Sequence, residues 1–481
     1  MTTSYNSVRA GLVQPARRDG ATGLLRTKPV EDGQRATGLA ARVALVFYWA
    51  VFLDGVLRKW VLPEYQKVLF FLPLPVVAYL YYKMLRNGRW PRHAILQFTI
   101  LLAVCALFIA PLQIVFGGYS GKYALIAAYG WLSYFFYVPL SFMLGAELTR
   151  SELSLFMRHT LWMGVLSAPL VLLQFFSTPG AVINAGVALQ QSDQFRQLGS
   201  ALGHIRPAGT FSSSLGLWMF LGALTVAVVY GWIDRWRKRK FSPLLVLGTG
   251  SLFTMLAVSG SRGALLQCAL VLAGTLLAGF LSGHRRIALR ASLIIFFVTG
   301  TSAILWPILF PSGFKTFMTR WSGAARTSTF TFGVIGRAFY ALYGWVHYLN
   351  TPFLGYLLGI GTNAAARLPW VHMPQAAYHW TGFGIWARES GWAVHLVDLG
   401  LLVGSGYIVF RIWFTIWLAR RCWVSASKYG NILPAVLFSF AGELILMGQV
   451  TVQGDVGSFT WIFLGLTLAA AKLSKTGPDT E

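Results

Sequence analysis

Apolar runs of roughly one membrane thickness follow one another along the chain, separated by short polar or Gly- and Pro-containing breaks. They cover residues 40–56, 67–83, 94–116, 123–145, 159–176, 214–233, 243–258, 264–281, 291–310, 393–417, 432–449 and 456–471. Most approach the ~20 residues that a helix needs to cross a hydrocarbon layer. The first, second and last are short or interrupted. The pattern predicts an all-α, polytopic integral membrane protein of about 12 transmembrane helices, occupying residues 39–471. Between the ninth and tenth runs lies a stretch, 311–392, too long for a connector. It is expected to be an external loop containing short amphipathic helices. Within it Ile335, Phe339, Leu342, Trp345, Val346 and Leu349 recur at helical spacing, as in a helix lying on a membrane surface. The glycines Gly355, Gly359 and Gly361 follow no strand and lack a phosphate-loop lysine, so they read as a turn or lid segment.

Composition agrees with this pattern. The chain is 56% hydrophobic and only 11% charged, which excludes an ordinary soluble domain. Its net charge of +25 would suggest nucleic acid in a soluble protein. Here the basic residues sit in short loops beside apolar runs, which points to topology and lipid headgroups and to no nucleic acid. Threading twelve spans places Lys83, Arg86, Arg89 and Arg92, the run 235–240, Arg285-Arg286 and Arg420-Arg421 on one side. By the positive-inside rule that side is the cytoplasm, and both termini are expected there. Residues 1–38 read as a disordered basic cytoplasmic tail and 472–481 as a C-terminal tail. Cys105, Cys268 and Cys422 have neither disulfide-framework nor metal-ligand spacing.

The same threading puts a second set of polar residues on the outer face. The tight turn Ser259-Gly260-Ser261-Arg262-Gly263 separates two apolar runs, and its glycines let the backbone bend sharply or approach a ligand. Arg206 precedes Pro207-Ala208-Gly209-Thr210-Phe211, and Asp54, Arg58, Lys59 and Trp60 follow the first run. Arginine on the outer side runs against the positive-inside rule and needs another reason to be there. Arg206 and Arg262 therefore read as functional rather than as snorkelling side chains. Arg58 and Lys59 read equally as a juxtamembrane anchor or as ligand contacts, and Asp54 can pair with Arg58 one helical turn on. Glu443 lies inside the eleventh run and must find a partner or handle protons. Trp370, Trp380, Trp386 and Trp392 stay open as platforms for a sugar ring.

These stretches carry a resemblance. Gly55-Val56-Leu57-Arg58-Lys59-Trp60-Val61-Leu62-Pro63, Arg206-Pro207-Ala208-Gly209-Thr210-Phe211, the turn around Arg262, the late external loop and Glu389-Ser390-Gly391-Trp392 occur in this order. In that set the chain resembles the O-antigen ligase and O-antigen polymerase superfamily of bacterial glycan-assembly proteins. Ser212-Ser213-Ser214 stands where ligases often carry His-Pro-Asn, and no His-Asn pair occurs in the loop. Ligase and polymerase are both left open.

The resemblance implies an enzyme of the bacterial inner membrane. It would transfer or polymerise a glycan from a polyprenyl-diphosphate-linked donor, such as undecaprenyl diphosphate, to an acceptor hydroxyl at the outer face. Further expected partners are membrane lipids, a glycan or lipid-linked acceptor and other polysaccharide-assembly proteins. Arg206 and Arg262 are the candidates for the leaving diphosphate, because guanidinium binds phosphate oxygens in pairs and stays charged. Arg58, Lys59 and Trp392 are further candidate substrate contacts. Glu389 or His395 is expected to accept the acceptor's proton, with His372 and His379 as alternative bases. No cofactor and no metal are expected. Rival readings are a transporter or flippase for a lipid-linked glycan and a non-catalytic exopolysaccharide-assembly component. The transporter reading would favour broken helices and charged residues near the midplane.

Overall fold

The computed structural model describes residues 38–116, 123–185, 202–238, 241–283, 285–327, 357–359, 390–452 and 454–476. Glu389, His372, His379 and the stretch 334–350 lie outside them. Within the described residues the regular elements are all helices, with no strand. The helices are α1 (Leu39–Val56), α2 (Gln66–Leu69), α3 (Pro73–Arg86), α4 (Ala94–Phe116), α5 (Tyr123–Trp131), α6 (Val138–Glu147), α7 (Arg150–Phe176) and α8 (Ser214–Lys238). They continue with α9 (Pro243–Ser259), α10 (Arg262–Leu281), α11 (Arg285–Leu309) and α12 (Pro311–Thr327). The last four are α13 (Gly391–Leu399), α14 (Ser405–Tyr429), α15 (Leu433–Met447) and α16 (Gly454–Leu473). Among the described residues eight helical segments are long and apolar enough to cross a membrane, and three further apolar helices are shorter. The chain is a multi-pass membrane protein.

Local chemistry explains where the helices stop and start. Thr149 and Glu152 form a reciprocal cap at the start of α7, the Glu152 carboxylate accepting from Thr149 N–H at 2.9 Å. Its other oxygen accepts from Gly38 N–H at 2.6 Å, tying the beginning of α1 to α7. The turn 259–263 is tight, as the sequence predicts. Gly260 takes a left-handed φ of 57° that stops α9, and Ser261 starts α10 by accepting from Ala264 N–H at 3.2 Å.

Burial separates shaft from rim. α16 is buried along nearly its whole length, with Trp461 completely enclosed, and packs against α6, α8 and α15. On α4, by contrast, Phe108 and Val115 are 72% and 73% exposed. An apolar face that open is stable against hydrocarbon and not against water, so it marks the lipid-facing rim.

The run 393–417 is not one rod. Gly400 adopts φ 71° and ψ −176°, and the chain folds back there. His395 and Arg411 are 16 residues apart, which a continuous helix would hold about 24 Å apart. Their side chains instead meet at 2.5 Å. α13 is thus a half-helix lying against the first turns of α14. Two carbonyls at the bend, Leu358 O and Asp398 O, accept from the Gln113 amide of α4 at 2.6 and 2.8 Å. Such a bend survives inside a bundle only because its freed backbone groups find new partners.

Candidate functional site: three arginines at the turn before α10

The segment 204–213 is held from two sides. On α7, Gln174 pairs its amide with the backbone of Gly209, accepting from its N–H at 2.8 Å and donating to its carbonyl at 3.3 Å. His204 stacks on Phe175 with ring centres 4.3 Å apart and hydrogen-bonds Phe175 O at 3.0 Å, so its ring serves to seat the segment. On α1, Val56 N–H donates to Thr210 O at 3.1 Å. A π-helical turn, Leu57–Val61, follows immediately after it. Gly55 is required at this crossing, because a Cβ would collide with the backbone of Phe211.

Arg58 and Lys59 belong to this clamp. Lys59 Nζ donates to Phe211 O at 2.6 Å, and Arg58 binds Asp54 at 2.9 Å and Ser212 Oγ at 3.1 Å, while Ser212 also donates to Asp54. Both cations are buried, and Asp455 at the start of α16 adds a second acid to their field. Arg58 is thus ion-paired with Asp54, and Asp455 lies close to both cations. Expected as substrate contacts, Arg58 and Lys59 direct their charged ends into the protein, where they hold the segment that carries Arg206.

Arg206, Arg262 and Arg320 are different. Arg262 is the first residue of α10, exposed at the end of the helix where the backbone dipole is positive. Arg206 is half-buried, and its Nε, like that of Arg58, is enclosed without a hydrogen-bond partner. Burial, and then the like charge of Arg262, push its guanidinium below the ordinary arginine value. Arg320, on α12, donates to Gly260 O at 3.3 Å and to His204 O at 3.5 Å, so one side chain joins both arginine-bearing segments. Burial and the charge of Arg206 push Arg320 down to about 10. Among the described residues no carboxylate forms an ion pair with any of the three. Next to Arg262, the Trp218 ring occupies the space where a Gly263 side chain would begin, 2.6 Å from its Cβ position, and the indole N–H is buried without a partner. Three like charges and unsatisfied donors, at the N-terminus of a 20-residue helix, make a site for a multiply charged anion.

The sequence points to Arg206 and Arg262 but not to Arg320. Arg320 sits in an amphipathic, basic helix whose residues look like ordinary headgroup contacts.

His395 and Trp392 lie elsewhere. His395 is completely buried. Its Nε2 receives a hydrogen bond from Arg411, which has no acceptor atoms, so Nε2 carries no proton. Nδ1–H therefore donates to Tyr134 Oη at 3.1 Å, and Tyr134 donates to Asp398 Oδ2 at 3.0 Å. Both ring nitrogens of His395, expected as a candidate base, are thus engaged inside the protein and tie α13 to its neighbours. Trp392 Nε1–H donates to Leu446 O at 2.6 Å, anchoring α13 to α15. Arg411 is a second residue that sequence reasoning passed over. The signal was present, since a lone arginine within the run 393–417 demands a partner.

No protein-family model matches the chain, and neither does any curated protein.

Proposed function

We propose that this protein is a membrane glycosyltransferase of O-antigen ligase or polymerase type, with Arg206 and Arg262 holding the diphosphate of a polyprenyl-diphosphate-linked glycan. The observation that carries this reading is the contrast between two cationic groups. Arg58 and Lys59 have Asp54 and Asp455 beside them, whereas Arg206 feels the charge of Arg262 and neither has an ion-pair partner among the described residues. In the proposed reaction an acceptor hydroxyl attacks the anomeric carbon. The bond from that carbon to the diphosphate breaks with its electron pair moving to phosphate oxygen, and the hydroxyl proton passes to a base. Prepositioned guanidinium groups stabilise the charge that develops on the leaving group. The base assigned is Glu389, with His372 and His379 as the alternatives. The mechanism is proposed to be metal-independent. The fold is proposed to thread twelve times through the bacterial inner membrane with both termini cytoplasmic.

Purified protein in proteoliposomes, given a labelled lipid-linked glycan and an acceptor, is expected to release polyprenyl diphosphate and extend the acceptor, in excess chelator as well as without it. Absence of transfer across ligase and polymerase acceptors, or its loss on chelation, counts against the mechanism. For the orientation, a cysteine at Ser261 is expected to react with an impermeant thiol reagent added from outside, and one at Ser242 to be protected. The reverse labelling would put the arginines on the wrong side.

A second reading has an observation in its favour. The half-helix α13 and the buried Arg411, His395 and Asp398 are the broken helix and intramembrane charges that a lipid-glycan transporter would use. Transbilayer movement of the labelled donor in the same proteoliposomes, without transfer, is the outcome that selects it.

A further inference from the structure

The geometry points to Arg320 as a third, charge-matching arginine that makes the site favour the diphosphate product of transfer over the glycosylated donor. This rests on the proposed diphosphate site and extends it from two cations to three. A glycosyl diphosphate lipid is a diester with two negative charges. When the anomeric C–O bond breaks, the freed terminal phosphate gains an ionisable oxygen whose proton is lost with a pKa of about 6. The leaving group then carries close to three charges at pH 8. Two arginines neutralise the donor, and a third is matched only as the bond breaks and afterwards. An interaction stronger at the transition state than in the bound donor accelerates the chemical step, whereas equal binding of both does not.

Position supports the assignment. Arg320 reaches the carbonyl of Gly260, two residues before Arg262, and the carbonyl of His204, two residues before Arg206. Its guanidinium lies where a side chain on Gly260 would begin, so the glycine that the left-handed φ of 57° favours also leaves room for Arg320 against the turn. A residue merely tying two loops together could be neutral. Arg320 adds a third positive charge to a site where Arg206 already feels Arg262, and no described carboxylate offsets it.

The test is direct binding, independent of catalysis, of three probes to the full chain in detergent at pH 8: a short-chain polyprenyl diphosphate, the corresponding glycosyl diphosphate and the monophosphate. The wild type is expected to bind the diphosphate at least about tenfold tighter than the glycosyl diphosphate. Arg320→Gln should lower affinity for the diphosphate about tenfold or more while changing the glycosyl diphosphate less than about threefold, and Arg320→Lys should recover much of the preference. A purely structural tie would weaken both ligands in proportion and leave their ratio unchanged, and that result overturns the inference while leaving the two-arginine site intact. If Arg320→Gln does not fold, Arg320→Ala is read in the same way, and a wild type without preference overturns the inference on its own. Failure of the wild type to bind any of the three probes removes the diphosphate reading and this inference together.

Discussion

Arg206→Ala and Arg262→Ala are each expected to reduce glycan transfer by about 100- to 1,000-fold while leaving the protein inserted and folded. The reasoning is that neither guanidinium has an ion-pair partner among the described residues, so truncation strands no buried carboxylate. Relief of like-charge repulsion between them should hold the thermal midpoint level or raise it slightly. That combination, large loss of activity with no loss of stability, separates a ligand-binding arginine from a structural one. Lysine at either position should restore only part of the rate, because it provides charge without the paired geometry of the fork. The measurement is initial rate with purified lipid-linked donor, beside a melting curve in the same detergent. Near-normal transfer by Arg262→Ala would falsify the clamp.

Arg411→Met should behave in the opposite way, losing stability first. All five guanidinium N–H groups of Arg411 are used inside the protein. Nε donates to Ile445 O at 2.5 Å, one terminal nitrogen to Leu444 O and Gly448 O at 3.1 and 2.7 Å, and the other to His395 Nε2 and Gly391 O at 2.5 and 3.4 Å. Three of those carbonyls lie at the C-terminal end of α15, where helical carbonyls lack partners and a cation is favoured. The fourth belongs to the first residue of α13. Methionine fills similar space but leaves these buried acceptors unsatisfied, at a cost on the order of 3–5 kcal/mol. The expected result is a sharp fall in monodisperse protein on size exclusion and in thermal midpoint. Arg411→Lys should lie between the two, with fewer donors in a less suitable geometry. An unchanged midpoint for Arg411→Met would mean that the carbonyls find water instead.

The difference between these arginines also shows how far a linear reading reaches. Periodicity and length marked apolar helices, because a chain in hydrocarbon must satisfy its backbone internally. The run 67–83 nevertheless divides into α2 and α3, and eight membrane-length segments occur among the described residues. Residues 94–116 are helical from the first predicted residue to the last, and the turn at 259–263 needs only glycine and serine at the right places. Arg206 and Arg262 stood out for the same local reason, as charges at the ends of apolar runs. Pairing over long separations was not legible. Lys59 meets Phe211 O across 152 residues, Arg320 meets His204 O across 116, and Gln113 meets Asp398 O across 285. The Asp54–Arg58 pair was legible from its one-turn spacing, but no local pattern shows which carbonyls and side chains distant in sequence the other basic residues meet. The fold-back at Gly400 was hidden too, since residues on either side of it are apolar and read as one span. By itself the sequence determined a helical membrane protein with cationic turns, because hydropathy and charge act residue by residue. Only the tertiary structure decided that Arg58, Lys59, His395 and Arg411 are internal ties while Arg206 feels the charge of Arg262 and Arg320 joins their two segments, because neutralisation and burial depend on what the rest of the chain brings alongside.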